Sequence, residues 1–286
     1  MRKQFVKTEN YSRFVAAVRA VEQRGAAEAG MLLLHGLPGL GKSHTADRWA
    51  VETGAVFLRA KVDWSPRYFL RDLAATLRTV DPTGTNQQLF TRLLDHLART
   101  QQPLVIDEAE FCLSNGAQVL EKIRDISDYA EITVVLIGME RIQRMLAKYG
   151  QIHSRIAQAV EFTPATVADV AYACNLLSEV PMTEAMCAEV HRLSGGKMRD
   201  VLNIVANVER IAKESGLEKA DVAGFRGVVL GIDWASRRCC SWMLFQCAAL
   251  PAPQPITRPI WTMTIGSRGS RQSRRRAAQS RCMRGV

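Results

Sequence analysis

The sequence predicts an α/β protein: a five-stranded parallel sheet with flanking helices, followed by a small helical unit. Three observations carry that expectation. Gly36-Leu37-Pro38-Gly39-Leu40-Gly41-Lys42-Ser43 fits the pattern G-x-x-x-x-G-K-[ST] at every fixed position, between a short apolar run and a segment of helical periodicity. Pro103-Leu104-Val105-Ile106-Asp107-Glu108 is an apolar run ending in two carboxylates, the form of a buried parallel strand whose C-terminal end faces a ligand site. Strand-length runs then alternate with helical patterns as far as Phe162, beyond which only helical patterns recur.

Taken in order, residues 9–24 put Phe14, Val15, Val18 and Val21 on one face of a helix that ends near Gly25. The run 31–35 is the first strand. The glycine loop follows, then a helix from Lys42 to about Thr53, closed by Gly54. Residues 55–59 read as the second strand. Ser65 offers an N-cap with Pro66 at the first helical position, and the helix continues over 67–80. The segment 81–84 is a turn, and 86–100 a helix leading into the acidic strand. Ser114 caps a helix to about Tyr129. Residues 132–137 form the next strand, 141–148 a short helix, and 159–162 the fifth strand. Pro164 marks a boundary, after which helices are expected over 167–178, 183–194 and 198–215, with Gly195-Gly196 between the last two. The expected organisation is therefore an α/β domain over 1–162, a helical unit over 163–233 and a basic tail over 234–286.

The residue types explain what such a loop does. Glycines let successive backbone N–H groups turn inward around phosphate oxygens, and the helix N-terminus behind them adds partial positive charge. Residues 36–43, with His44 next on the helix, are the expected nucleotide-binding set. Within it Lys42 reaches the β- and γ-phosphates and the Ser43 hydroxyl ligates magnesium. Asp107 is placed to hold the hydrated magnesium, and Glu108 to polarise a water for attack on the γ-phosphate. ATP and Mg2+ are thus the expected cofactors.

Composition bounds the rest. The 286 residues are long enough for a full α/β core plus a second unit. No apolar run approaches a membrane span, the N-terminus lacks the apolar stretch of a signal peptide, and the seven cysteines form no zinc-type spacing, so a reduced, cytoplasmic protein is expected. Residues 237–286 hold ten Arg and no Lys, Asp or Glu, which accounts for the whole formal charge of +10. That tail reads either as a basic arm for nucleic acid or as sequence outside the evolved reading frame, since it also carries four of the seven cysteines.

The order of parts resembles an AAA+ ATPase over residues 1–230: phosphate loop, acidic strand, further strand, helical lid. The resemblance implies ATP hydrolysis in a ring or helical filament of identical subunits. It implies that Arg155, in Gln-Ile-His-Ser-Arg-Ile, is an arginine finger acting on a neighbour, and that Arg199, in Gly-Gly-Lys-Met-Arg, senses nucleotide from the lid. One departure stands out. The strand before Gly138-Met139-Glu140 lacks the polar residue that many AAA+ proteins carry at its end, so hydrolysis without that sensor is expected to be slow.

The layout and the Ile137-Gly138-Met139-Glu140 wording are most similar to the phage Mu B-type DNA transposition ATPases. That narrower resemblance implies duplex DNA and an integrase-type transposase as partners. If subunits surround DNA, the loop after the second strand faces the axis, and Lys61 and Arg67 would neutralise phosphates there. The competing reading is a solvated loop with Trp64 packed inward. Lys122 and Arg124 are weaker candidates for the same role. Other classes remain open: a loader or initiator of DNA replication, a nucleotide switch with little hydrolysis, or a small-molecule phosphotransferase, which the few basic residues of 163–233 disfavour.

Overall fold

The structure, a computed structural model, describes residues 1–26, 28–225 and 227–231; the basic tail expected at 234–286 lies outside them. Five strands form one parallel sheet in the order β2-β3-β4-β1-β5: β1 (Met31–Gly36), β2 (Val56–Arg59), β3 (Leu104–Asp107), β4 (Val134–Ile137) and β5 (Ile156–Phe162). Five parallel strands are what the sequence predicts; their order comes from the structure. All six residues of β1 are buried, because it lies between two neighbours and under helices on both faces.

The side-chain alternation of the strands divides the core into two faces. On one, Met31, Leu33, Leu104, Ile106, Val134 and Leu136 pack under α3 (Pro66–Leu77), α4 (Asn86–Thr100) and α5 (Ser114–Ala130). On the other, Leu32, Leu34, Val105, Val135 and Ile137 meet α1 (Glu9–Glu22) and α2 (Lys42–Thr53), where the Phe14 and Trp49 rings cross edge-on at 5.8 Å. Each fully buried leucine contributes about 1.5–3 kcal/mol. Leu33→Ala, at a site closed on all sides, would cost about 2–5 kcal/mol.

Helix starts are written into the sequence by hydroxyl caps. Ser65 accepts from the Tyr68 N–H with Pro66 beside it, and Thr85 with Gln88 closes a reciprocal capping box. A short α6 (Ile142–Leu146) is followed by α7 (Gly150–His153), which no periodicity announces. Strand β5 begins three residues earlier than expected, at Ile156; its first half is partly exposed, so it lacks the apolar run that marks the inner strands. Ser114 is not an N-cap: its Oγ donates to Phe111 O, and Asn115, Gly116 and Ala117 are left-handed, so the regular part of α5 starts after them.

Beyond Phe162, α8 (Val167–Leu177), α9 (Glu184–Ser194) and α10 (Met198–Glu214) pack around their own apolar cluster, which Val6 of the N-terminal segment joins. Thr166 caps α8 in a second capping box with Asp169. The N–H of Ala165 donates to Gly196 O at 2.8 Å, tying the start of these helices to the turn ahead of α10. Within this cluster Cys174 and Cys187 are buried free thiols, as is Cys112 under the sheet, where burial pushes its thiol up to about 12. No helix among the described residues is long and apolar enough to cross a membrane.

Candidate nucleotide site

Because all strands are parallel, their C-terminal ends share one edge, and there β3 and β4 deliver Asp107 and Ile137, and the loop after β1 delivers Pro38 to Gly41, to the rim of a cavity of about 1060 Å³. The loop 36–41 turns between β1 and α2. Gly36 has φ of 142°, and a Cβ there would stand 2.6 Å from Phe162 O, so the crossing of β1 and β5 admits only glycine. Gly41, at φ 91°, is the left-handed N-cap of α2.

Lys42 is buried at the start of α2 and folds back on its own loop. Its Nζ donates to Gly36 O and Leu37 O, both at 2.7 Å. Gly36 and Leu37 thus serve the lysine, whereas Pro38 to His44 line the cavity. Burial lowers the Lys42 pKa; Glu110 and then Asp107 oppose that, and Arg199 adds to it.

The two sequence motifs meet at Ser43, whose Oγ donates to Asp107 Oδ1 at 2.9 Å. Asp107 is buried, and the Glu108 N–H also donates to Oδ1, at 3.0 Å. Its other oxygen is taken by a residue the sequence reading passed over: Arg59, at the end of β2, places Nη2 3.0 Å and Nε 3.1 Å from Oδ2. A hydroxyl and a carboxylate beside a phosphate loop suit magnesium, a hard cation that takes few protein ligands and keeps waters and phosphate oxygens. No group of three or more His, Cys, Asp or Glu among the described residues could hold a metal ion.

Glu108 is exposed, and its backbone is left-handed at φ 57°, a conformation that costs a non-glycine residue about 1–2 kcal/mol. The turn swings the chain into a short 3-10 helix, Ala109–Leu113, and brings Glu110 to the cavity wall. Arg199 enters from the helical unit: its N–H donates to Gly39 O at 3.0 Å, so α10 starts on the phosphate loop itself. A further wall comes from the N-terminal segment, where Phe5 lies 5.2 Å from the His44 ring and 5.2 Å from Tyr11. Residues 1–8 have no periodicity, and nothing in their sequence marks this placement.

The remaining sequence-predicted residues lie apart from the cavity. Arg155 precedes β5 at the opposite, N-terminal edge of the sheet, with its Nε 3.1 Å from Asp128 Oδ2. Lys61 pairs with Asp72 at 2.8 Å and donates to the Tyr68 hydroxyl, while Arg67 donates to Asn86 Oδ1 at 3.0 Å. Trp64 is buried, its Nε1 donating to Asp72 Oδ2. Arg124 and Lys122 engage Asp125 on their own helix.

Residues 24–146 match the family described as AAA domain. The fold is that of an AAA+ P-loop NTPase. No curated protein matches the sequence. Solved structures similar to this AAA+ fold include Cdc6p from Pyrobaculum aerophilum, with 16% identity over 76% of this chain and 66% of that one at a TM-score of 0.57. The Aeropyrum pernix ORC1 protein, solved in complex with DNA, matches with 18% identity over 74% of this chain and 61% of that one at a TM-score of 0.54. A P216G mutant of Thermotoga maritima RuvB matches with 17% identity over 77% of this chain and 68% of that one at a TM-score of 0.52. The chain spans just under two thirds of the length of the Cdc6p and ORC1 chains.

Proposed function

We propose that this chain binds and hydrolyses ATP and uses that cycle to assemble on duplex DNA. The observation that carries the first half is the 2.9 Å contact between Ser43 and Asp107, which joins the phosphate loop to the acidic strand across 64 positions of sequence. Backbone N–H groups of residues 36–43 and the start of α2 would take the phosphates, with Lys42 leaving its carbonyl partners for phosphate oxygens. Ser43 and Asp107 would hold magnesium, which supplies charge neutralisation on the phosphates. Glu108, free at the cavity mouth, would take the proton of the attacking water. Arg199 would read the nucleotide from α10. Arg155 would leave Asp128 to stabilise the γ-phosphate of an adjoining subunit, as an oligomer requires.

Support for DNA comes from the likeness to ORC1, solved with DNA, and from Lys61 and Arg67 on the segment that follows β2. Recruitment of a transposase is the finer reading; its support is the Mu B-like layout and the Gly138-Met139-Glu140 ending. The likeness to Cdc6p and ORC1 favours a second reading, an ATP-dependent loader or initiator of DNA replication. We read residues 1–162 as the nucleotide-binding domain and 163–233 as its lid.

Nucleotide titration and turnover test the proposal. Lys42→Ala should abolish ATP binding, while Glu108→Gln should keep binding and slow hydrolysis by about 10²–10⁴-fold. Unchanged ATP affinity in Lys42→Ala would overturn the site. Duplex binding should weaken steeply with salt, and a strand-transfer assay with a transposase separates the two DNA readings.

A further inference from the structure

The end of β4 is a wall of the cavity to which the sequence assigns no chemistry, since Gly138 has no side chain. The space beside it is nonetheless filled. A Cβ on residue 138 would stand 2.7 Å from Glu110 Oε1 and 2.5 Å from Ile142 Cδ1, so those side-chain ends would have to shift. The Met139 N–H donates to Glu110 Oε1. One carboxylate from the 3-10 turn after β3 therefore holds the turn after β4, in the space that a side chain at position 138 would enter. Glu110 lines the same cavity as Lys42, the lysine that is expected to meet the β- and γ-phosphates.

We propose that Glu110 is a positioning residue for the γ-phosphate end of the site: through the Met139 amide it clamps the β4–α6 turn against β3, in the place where a side chain on β4 is missing. The inference rests on the ATP-binding reading above. The clamp touches neither the backbone of residues 36–43 nor Ser43, so it bears on the third phosphate and on turnover, not on the diphosphate. Glu110→Gln keeps an acceptor for the Met139 N–H. Glu110→Ala removes it. Gly138→Ala attacks the same contact from the other side by driving the carboxylate out.

The test is the affinity of each variant for ADP and for a non-hydrolysable ATP analogue, both with magnesium, alongside kcat and thermal unfolding. Glu110→Ala is expected to lose about tenfold in the preference for the analogue over ADP and about as much in kcat, with ADP affinity within about threefold. Glu110→Gln should recover most of that loss. Gly138→Ala should fall in the same direction, and the double variant should be no worse than the poorer single, because one shared contact is lost either way. A wild type that binds no nucleotide would overturn the underlying reading and this inference with it. A wild type that binds both ligands, with no preference between them or a preference that both alanine variants leave unchanged, would overturn the clamp alone. So would a parallel loss of ADP affinity, or additive effects in the double variant.

Discussion

Arg59 caps the Asp107 carboxylate from the side opposite Ser43, with Nη2 3.0 Å and Nε 3.1 Å from Oδ2. A cation thus already sits on the acid expected to serve magnesium. The guanidinium is 61% exposed, so water screens its charge but does not cancel it. Arg59→Gln should lower the magnesium concentration needed for half-maximal ATP binding by about three- to tenfold, up to ~1.4 kcal/mol. A magnesium titration of fluorescent-nucleotide binding reads this directly, and an unchanged or higher midpoint would show that Arg59 does not compete.

Arg155 rests on Asp128 at the sheet edge away from its own cavity. A finger given to a neighbour makes turnover depend on assembly, so hydrolysis per subunit should rise with protein concentration and with added duplex DNA. Arg155→Ala should flatten that rise while ATP affinity stays within about threefold, because the contact matters mainly in the transition state. Concentration-independent turnover with a fully active Arg155→Ala would place the finger elsewhere.

Gly36 is closed off by Phe162 O, 2.6 Å from where a Cβ would stand. Gly36→Ala should destabilise the fold by about 1–3 kcal/mol through backbone strain and shift the carbonyl that Lys42 uses. Thermal unfolding and ATP affinity should fall together; a stable variant with intact affinity would contradict the geometry.

Glu209 on α10 is buried, and burial alone would raise its pKa. Hydrogen bonds from the Met1 ammonium, from Lys213 Nζ at 2.9 Å and from the Glu179 N–H at 3.0 Å outweigh that and bring it down from 4.5 to about 2. A depressed carboxylate stabilises the fold above its unfolded value and loses that contribution as pH falls. The gap in unfolding temperature between wild type and Glu209→Gln should therefore be full at pH 7, shrink below 4.5 and close near 2. A gap of constant size across that range would mean that the charge contributes nothing.

Much of the site was legible because its requirements are local. The loop 36–43 declares itself by backbone conformation, and Asp107 by ending an apolar run; both reach the same rim because every strand is parallel. The cap at Ser65 is similarly local. What stayed hidden depends on tertiary contact. Arg59 looks like any polar strand end until β2 is laid beside β3, where its register partner is Asp107. Glu110 reaches the cavity only because Glu108 turns left-handed, and no residue type announces that turn. The missing side chain at Gly138 was visible in the sequence, but the carboxylate that fills its space comes from the 3-10 turn after β3.

The two carbonyl bonds of Lys42 bear on how the loop receives phosphate. A buried ammonium is costly if its hydrogen bonds go unmade. Gly36 O and Leu37 O supply two of them from within the same loop, so a phosphate oxygen would reach Lys42 by an exchange of partners. What this lysine adds to affinity is then a difference between two sets of bonds, smaller than a bare ammonium would give.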